Sequence, residues 1–192
     1  LQLPHNIKVL GDSAFSWCSS LAGTLSLPES LESIGSCCFL NCSMLSGNLV
    51  LPSKLKVIPS SCFKGLWGID GDLIIPEGVV EIGDYAFQPD GRDGKGFGGV
   101  LVLPKSLKKL GQGAFLFCKF QGELIIPDEI TKIPYDCFGQ NSFSSIVLPE
   151  GLVSIEEGNY GAFGNNSRLC EPIELPSTLI TIGEAAFENC RN

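Results

Sequence analysis

The sequence contains a single histidine, His5, among its 192 residues. A Ser-His-Asp or Cys-His catalytic set needs an imidazole beside its nucleophile, whereas His5 directly follows Pro4, in a turn where we expect a solvated side chain. The nine cysteines include no C-x-x-C pair, so the common spacing of zinc ligands is missing as well. These absences predict that the chain is not an enzyme and has neither a metal site nor a cofactor.

Positive charge is scarce too. Lysine and arginine number 13 against 21 aspartates and glutamates, and the resulting net charge of −8 opposes nonspecific binding to nucleic acid or to an anionic membrane. No run of about 18 apolar residues, the length that spans a bilayer, occurs, and no basic-then-apolar leader opens the sequence. We therefore predict no nucleic-acid partner and no direct membrane insertion by this segment.

What the sequence does have is one repeated unit. The third and the sixth residue after the proline of each unit are aliphatic, and a phenylalanine stands eleven residues after it in seven units. In the remaining unit the phenylalanine, Phe163, is displaced by three residues because 156–161 carries an insertion. A period in the twenties indicates a solenoid, whose units bury their apolar faces against each other. The prolines that mark the units are Pro4, Pro28, Pro52, Pro76, Pro104, Pro127, Pro149 and Pro176.

The unit that begins at Leu25 shows the local pattern. Leu25 to Pro28 alternates apolar and polar residues, which predicts a short strand that ends at the proline. Leu31 to Ile34 predicts a second extended piece, ended by Gly35, where we expect a positive φ. Ser36 to Cys42 has apolar residues at helical spacing, which predicts a short helical turn.

This unit resembles the repeat of the BspA-like, or treponemal-type, leucine-rich repeat family. The family repeat reads approximately L-x-x-I-x-I-P-x-x-V-x-x-I-G-x-x-A-F-x-x-C. The residues that match it include Leu27-Pro28 with Ile34-Gly35, Ile82-Gly-Asp-Tyr-Ala-Phe87 and Ile182-Gly-Glu-Ala-Ala-Phe-Glu-Asn-Cys190. The resemblance covers essentially the whole chain, although Pro59, Pro134 and Glu156 depart from it in the glycine column. It implies a right-handed, mostly β solenoid of short parallel strands and short helical turns with about eight repeats, and no catalytic residues.

No shift in composition marks a domain boundary. We therefore expect residues 1–192 to form a single leucine-rich-repeat solenoid of about eight units, each of 22–28 residues. Solenoids need polar caps on their terminal faces, and neither end of this sequence offers one. On that ground we expect the chain to be a segment of a longer protein.

Seven of the nine cysteines fall in two columns of the repeat. One column lies three residues after the phenylalanine, where Asn141 and Asn166 also occur; the other directly precedes the phenylalanine, where other units have alanine. This placement favours free, buried thiols that act as small apolar side chains. A disulfide between the neighbouring Cys18 and Cys42 is the alternative. Cys170 lies outside both columns. The column members are Cys18, Cys42, Cys118 and Cys190, then Cys38, Cys62 and Cys137.

The residue two before each proline is aliphatic in the five central units. One interpretation is β-propensity in a ladder that its neighbours partly cover. The other is an exposed apolar row, hereafter the aliphatic stripe, which on a protein surface tends to mark a partner site. The stripe consists of Val50, Ile74, Val102, Ile125 and Val147.

Three further sets of residues are candidates for binding. The second extended piece carries a lysine row that is either a solvated face or a site for an anionic glycan or acidic protein. Trp17 and Phe117 share a column two residues after the phenylalanine, near Trp67, and either bind sugar or protein or pack between loops. In the insertion of the fourth unit, Asp90 and Asp93 are possible calcium ligands. The lysine row consists of Lys56, Lys108, Lys109 and Lys132.

The resemblance also implies a setting, because the family occurs in surface proteins of host-associated bacteria and some protozoa that are linked with adhesion. The functional prediction is a non-catalytic protein-interaction or adhesion module of a secreted or cell-surface protein. Its partner would be a host or neighbouring-cell protein, a matrix component or a glycan. The alternative is a structural spacer or accessory domain that positions another domain of a longer surface protein.

Overall fold

The computed structural model describes residues 1–89 and 96–190, which form a parallel β-solenoid of about seven turns. Every strand pair is parallel, and paired residues are one repeat apart, as Val9 with Ser33 and Glu81 with Lys109 show. The period of the sequence therefore sets the register, because each side chain lies beside its equivalent in the next coil. The predicted solenoid is confirmed.

Each coil contributes short strands on two sides. The strand that precedes the proline forms the sheets β2-β4-β6, β7-β9 and β11-β13, and the strand that follows it forms β1-β3, β5-β8-β10 and β12-β14-β15. The strands are β1 Val9–Leu10, β2 Gly23–Ser26, β3 Ser33–Ile34, β4 Leu45–Val50, β5 Val57–Ile58, β6 Gly68–Ile69, β7 Leu73–Ile74, β8 Glu81–Ile82, β9 Leu101–Val102, β10 Lys109–Leu110, β11 Gln121–Ile125, β12 Lys132–Ile133, β13 Ser142–Val147, β14 Ser154–Ile155 and β15 Thr181–Ile182.

A stack of phenylalanine rings runs through the core. Adjacent rings lie 5.2–5.9 Å apart between centroids and are nearly parallel, and Phe163 takes its place in the stack despite its displacement in the sequence. The insertion at 156–161 is thus accommodated outside the core. The stack consists of Phe15, Phe39, Phe63, Phe87, Phe115, Phe138, Phe163 and Phe187.

A second group of phenylalanines, which the repeat pattern does not predict, packs edge-on against this stack. Phe97 meets Phe87 at an interplanar angle of 86°, and Phe143 meets Phe138 at 74°. Phe120 joins the group by contacting both Phe97 and Phe115. All three rings are fully buried.

The third side of each coil consists of hydrogen-bonded turns, not of the helical turn that we predict for Ser36 to Cys42. Cys37 and Asn41 have φ of 55° and 56°, in the left-handed region, which interrupts a helix. The amide of Phe39 between them donates to Cys62 of the next coil, so the turns join coil to coil. Within residues 1–89 and 96–190 there is no helix, and hence none that is long and apolar enough to cross a membrane.

The glycine that follows the second strand is needed for a different reason from the predicted one. Gly35 does not have a positive φ, so that expectation is wrong. A Cβ added at Gly35 would lie 2.3 Å from the amide nitrogen of Asp12 in the preceding coil, and one at Gly111 would lie equally close to that of Asp84. The glycine permits the close approach of two backbones.

The cysteine and asparagine column satisfies buried carbonyl groups between coils. The thiol of Cys42 donates to the carbonyl of Phe15 at 2.9 Å, and that of Cys118 donates to Phe87 at 3.3 Å. The side-chain amide of Asn141 donates the equivalent bond to the carbonyl of Phe115, in the preceding coil, at 2.8 Å. Cysteine and asparagine can replace each other in this column because each offers a hydrogen-bond donor in the same place.

Candidate binding surface

The aliphatic stripe lies on the outer face of the strands that precede the prolines. Its side chains are between 44% and 67% exposed, with Val102 and Val50 at the two limits. Cross-strand pairing places Ile74 beside Val102 and Ile125 beside Val147. Because strand residues alternate between the two faces of a sheet, the residue that precedes each stripe residue points inward. Leu101, which precedes Val102, is 3% exposed. The stripe is thus a solvent-facing row and not part of the core.

Carboxylates border the stripe on the side of the turns that follow the prolines. Glu29 accepts a hydrogen bond from the amide of Ser53 at 3.2 Å, and Glu77 accepts one from Lys105 at the same distance. Asp128 and Glu150 occupy equivalent positions, and all four residues are exposed. The column therefore bonds one coil to the next while it places negative charge beside the apolar row.

The lysine row is compensated by carboxylates of neighbouring coils. Lys132 lies 2.5 Å from Glu156, Lys109 lies 3.5 Å from Glu81, and Lys108 lies 3.8 Å from Glu129. Lys56, the remaining member, is exposed with its ammonium close to Gly78. Since exposed ion pairs are weak, the lysines stay accessible, but the row carries little net positive charge.

The aromatic candidates do not form one cluster. Phe117 packs edge-on against Tyr160 with 4.9 Å between ring centroids, which is the loop-packing alternative. Trp17 is 69% exposed and Trp67 is 45% exposed, and in the described part of the chain no ring contact joins either of them to Phe117. The coils that carry Asn41, Gly65 and Pro89 in the same column separate Trp17 from Phe117.

The single histidine does not lie within a cluster of metal-ligating side chains in the described part of the chain. His5 is exposed in a turn, as expected. Across residues 1–89 and 96–190, no group of three or more histidine, cysteine, aspartate or glutamate side chains is arranged to hold a metal ion. Asp90 and Asp93, the possible calcium ligands, lie outside the described residues.

All nine cysteines are free thiols, so Cys18 and Cys42 do not form a disulfide. Burial raises the pKa of Cys38 to about 11 and raises those of Cys62, Cys118 and Cys137 well above the usual value. A protonated, buried thiol is a poor nucleophile. The core thiols therefore behave as apolar packing groups.

We expect thiol titration to separate exposed from buried cysteines. In the native protein near pH 8, Cys18 and Cys170 should react fast with a disulfide reagent because they are exposed. All nine thiols should react after unfolding without reductant. A total below nine would mean that two of the cysteines pair, and fast reaction of Cys62 or Cys118 in the native state would contradict their burial.

Comparisons with known proteins agree with this geometry. A family model described as the BspA type leucine-rich repeat region matches in six copies over residues 1–90 and 100–192. Among solved structures, the chain is similar to a leucine-rich repeat protein from Bacteroides ovatus, with a TM-score of 0.72 and 25% identity. That match covers 92% of this chain, which spans 43% of the length of that protein.

A second solved structure, of a leucine-rich cell surface protein from Faecalibacterium prausnitzii, has a TM-score of 0.36 and 18% identity. The match covers 96% of this chain and 81% of that one. No curated protein is similar enough to the sequence to count as a match.

Proposed function

We propose that this chain, which belongs to the family of BspA-type leucine-rich repeat proteins, is a non-catalytic protein-interaction module of a secreted or cell-surface protein. The observation that carries the proposal is the aliphatic stripe, five exposed apolar side chains on adjacent coils. A contiguous exposed apolar row is unfavourable in water unless a partner covers it. The stripe is therefore the recognition surface.

The chemistry of the surface favours a protein over a glycan as the partner. Valine and isoleucine side chains gain free energy by excluding water from another apolar surface, about 25 cal/mol for each Å² buried. They offer no hydrogen bonds to sugar hydroxyl groups. The compensated lysine row lacks the excess of positive charge that an anionic glycan requires, and Trp17 and Phe117 are too far apart to stack on one sugar.

The stripe also has the layout of a protein interface. Its apolar row is central, and polar or charged residues such as Asp72, Glu77 and Glu123 border it. Protein interfaces commonly combine an apolar centre with a polar rim. The solenoid adds rigidity, because hydrogen bonds between coils hold the backbone of each stripe residue before a partner arrives, and this lowers the entropic cost of binding.

We expect the double variant Val102→Ser with Ile125→Ser to fold and to bind less well. Both side chains are about half exposed, so their loss should change the free energy of unfolding by less than about 1 kcal/mol. Binding should weaken about tenfold or more, since two apolar contacts are lost at the centre of the interface. The assay measures the affinity of the wild-type and variant chains for a panel of immobilised extracellular-matrix proteins and for intact epithelial cells.

The matched control is Val9→Ser with Ile180→Ser. These two aliphatic residues are 63% and 78% exposed but follow the prolines, away from the stripe. The control should bind like the wild type. Equal weakening by both double variants would assign binding to general hydrophobicity, and absence of binding by the wild type to every target would favour the structural spacer.

A further inference from the structure

The strand that precedes the proline is the first strand of its coil. The first strand β13 loses its hydrogen-bonding partner in the next coil partway along its length. Where first strands pair along their length, as β7 and β9 do, Leu73 donates to Val100 at 2.9 Å and Ile75 donates to Val102 at 3.0 Å. The pairing is interrupted between β4 and β7 and between β9 and β11, which belong to separate sheets, and again after β13. The first half of β13 still has a partner in the next coil, because the amide of Cys170 donates to the carbonyl of Ser144 at 3.1 Å. In the described part of the chain, no backbone hydrogen bond then joins Ile146 or Leu148 to residues 172–176.

The backbone groups left without a partner face the next coil. Successive residues of a parallel strand direct their N–H and C=O groups to opposite sides. Val147 accepts from Ile126 of the preceding coil, so its neighbours Ile146 and Leu148 point away from that coil. Ile146 is 5% exposed. Its amide and carbonyl are thus nearly buried and, among the described residues, have no backbone partner on that side.

A groove of about 390 Å³ lies along this edge of β13. Its apolar wall includes Val147 and Leu175, and Leu175 is 52% exposed, whereas the equivalent Ile75 is 2% exposed. Among the described residues, the groove is also lined by four glutamates and by no lysine or arginine. The glutamates are Glu123, Glu150, Glu171 and Glu174.

We propose that this groove binds an extended, lysine- or arginine-rich segment of a partner protein, which adds a strand to the edge of β13. The segment bonds to the amide and carbonyl of Ile146 and to the amide of Leu148, as in other cases of strand addition. Alternate side chains then contact Val147 and Leu175 or extend towards the glutamates. A second copy of this chain, with a net charge of −8, is a poor occupant by comparison.

This inference rests on the proposed function, since it names the chemistry of the partner beside the end of the aliphatic stripe. The test uses two synthetic nine-residue peptides, one alternating lysine and valine and the other alternating glutamate and valine. Only the lysine peptide should bind saturably, and its affinity should fall with added salt. NMR hydrogen exchange should show fast exchange of the Ile146 and Leu148 amides in the free chain and at least about tenfold slower exchange in the complex.

Charge variants identify the groove. The triple variant Glu123→Gln, Glu150→Gln and Glu174→Gln should weaken binding of the lysine peptide about tenfold, because three exposed ion pairs are lost. The matched control replaces three glutamates around another surface depression that has no open strand edge, and it should leave the affinity unchanged. The control residues are Glu157, Glu184 and Glu188.

Several results would overturn the inference. Protected Ile146 and Leu148 amides in the free chain would mean that residues 172–176 close the groove. Equal weakening by the two triple variants, or binding without slower exchange of those amides, would reduce the effect to net charge. The variant Val102→Ser with Ile125→Ser should still bind the peptide, so failure of the groove and failure of the stripe are distinguishable.

Discussion

Replacing Phe63 by alanine is expected to lower the free energy of unfolding by about 3–5 kcal/mol. The Phe63 ring is fully buried and stacks between Phe39 at 5.9 Å and Phe87 at 5.5 Å. Its removal leaves a cavity that the coils cannot close, because their spacing of about 4.8 Å is fixed by backbone hydrogen bonds. Urea denaturation followed by circular dichroism measures the change.

The matched control for this experiment is Phe187→Ala. Phe187 is only partly buried and has one stacking neighbour, Phe163, at 5.3 Å. Its replacement should cost less than half as much, since fewer contacts are lost. Equal losses at the two positions, or a loss below 1 kcal/mol at Phe63, would contradict a continuous stack that stabilises the solenoid.

Replacing Asn141 by leucine is expected to cost about 3 kcal/mol or more, because it leaves several buried backbone groups without partners. Asn141 is 3% exposed. Its amide nitrogen donates to the carbonyls of Phe115 and Phe138 at 2.8 and 3.0 Å, and its oxygen accepts from the amide of Phe120 at 2.9 Å. Leucine has a similar size but offers neither a donor nor an acceptor.

Cysteine is the informative second substitution at this position. In Asn141→Cys the thiol should keep the bond to Phe115, as the thiol of Cys118 does to Phe87 in another coil. The amide of Phe120 would still lose its acceptor, so we expect a smaller loss than with leucine, about 1–2 kcal/mol. Denaturation midpoints of the two variants decide the matter. If leucine were tolerated as well as cysteine, hydrogen bonding would not be the function of this column.

The columns of the repeat were sufficient to predict the core. Phe39 and Ile58 recur at the same place in each unit, and in a solenoid each such residue meets its own equivalent. The same reasoning extended to Phe163, whose displacement in the sequence is absorbed by an insertion. Long-range contacts, which are usually inaccessible from a single sequence, here follow from the period.

The turns could not be predicted in this way. Over a short segment such as 36–42, helical spacing of apolar residues does not differ from that of successive turns. Of the left-handed residues Cys37 and Asn41, only the asparagine is a residue type that favours a positive φ, so the sequence marks one of these positions and not the other. The need for Gly35 lies in the backbone of the preceding coil, which the local sequence does not reveal.

The surface was predictable only in part. The orientation of Val102 follows from strand alternation, but the carboxylates that pair with Lys109 and Lys132 come from neighbouring coils, 28 and 24 residues away. The groove beside β13 arises because Ile146 and Leu148 have no partner strand. Such an interruption has no signature in the sequence, since the pairing also stops between β4 and β7, beside a unit of ordinary length.

The most direct test of the account compares two adjacent residues of β9, Leu101→Ser and Val102→Ser, by their free energies of unfolding. Leu101 is 3% exposed and Val102 is 44% exposed. We predict a loss of about 3 kcal/mol or more for Leu101→Ser and less than about 1 kcal/mol for Val102→Ser. Similar losses at both positions, or a larger one at Val102, would place the stripe in the core and contradict an outward row that is free to bind a partner.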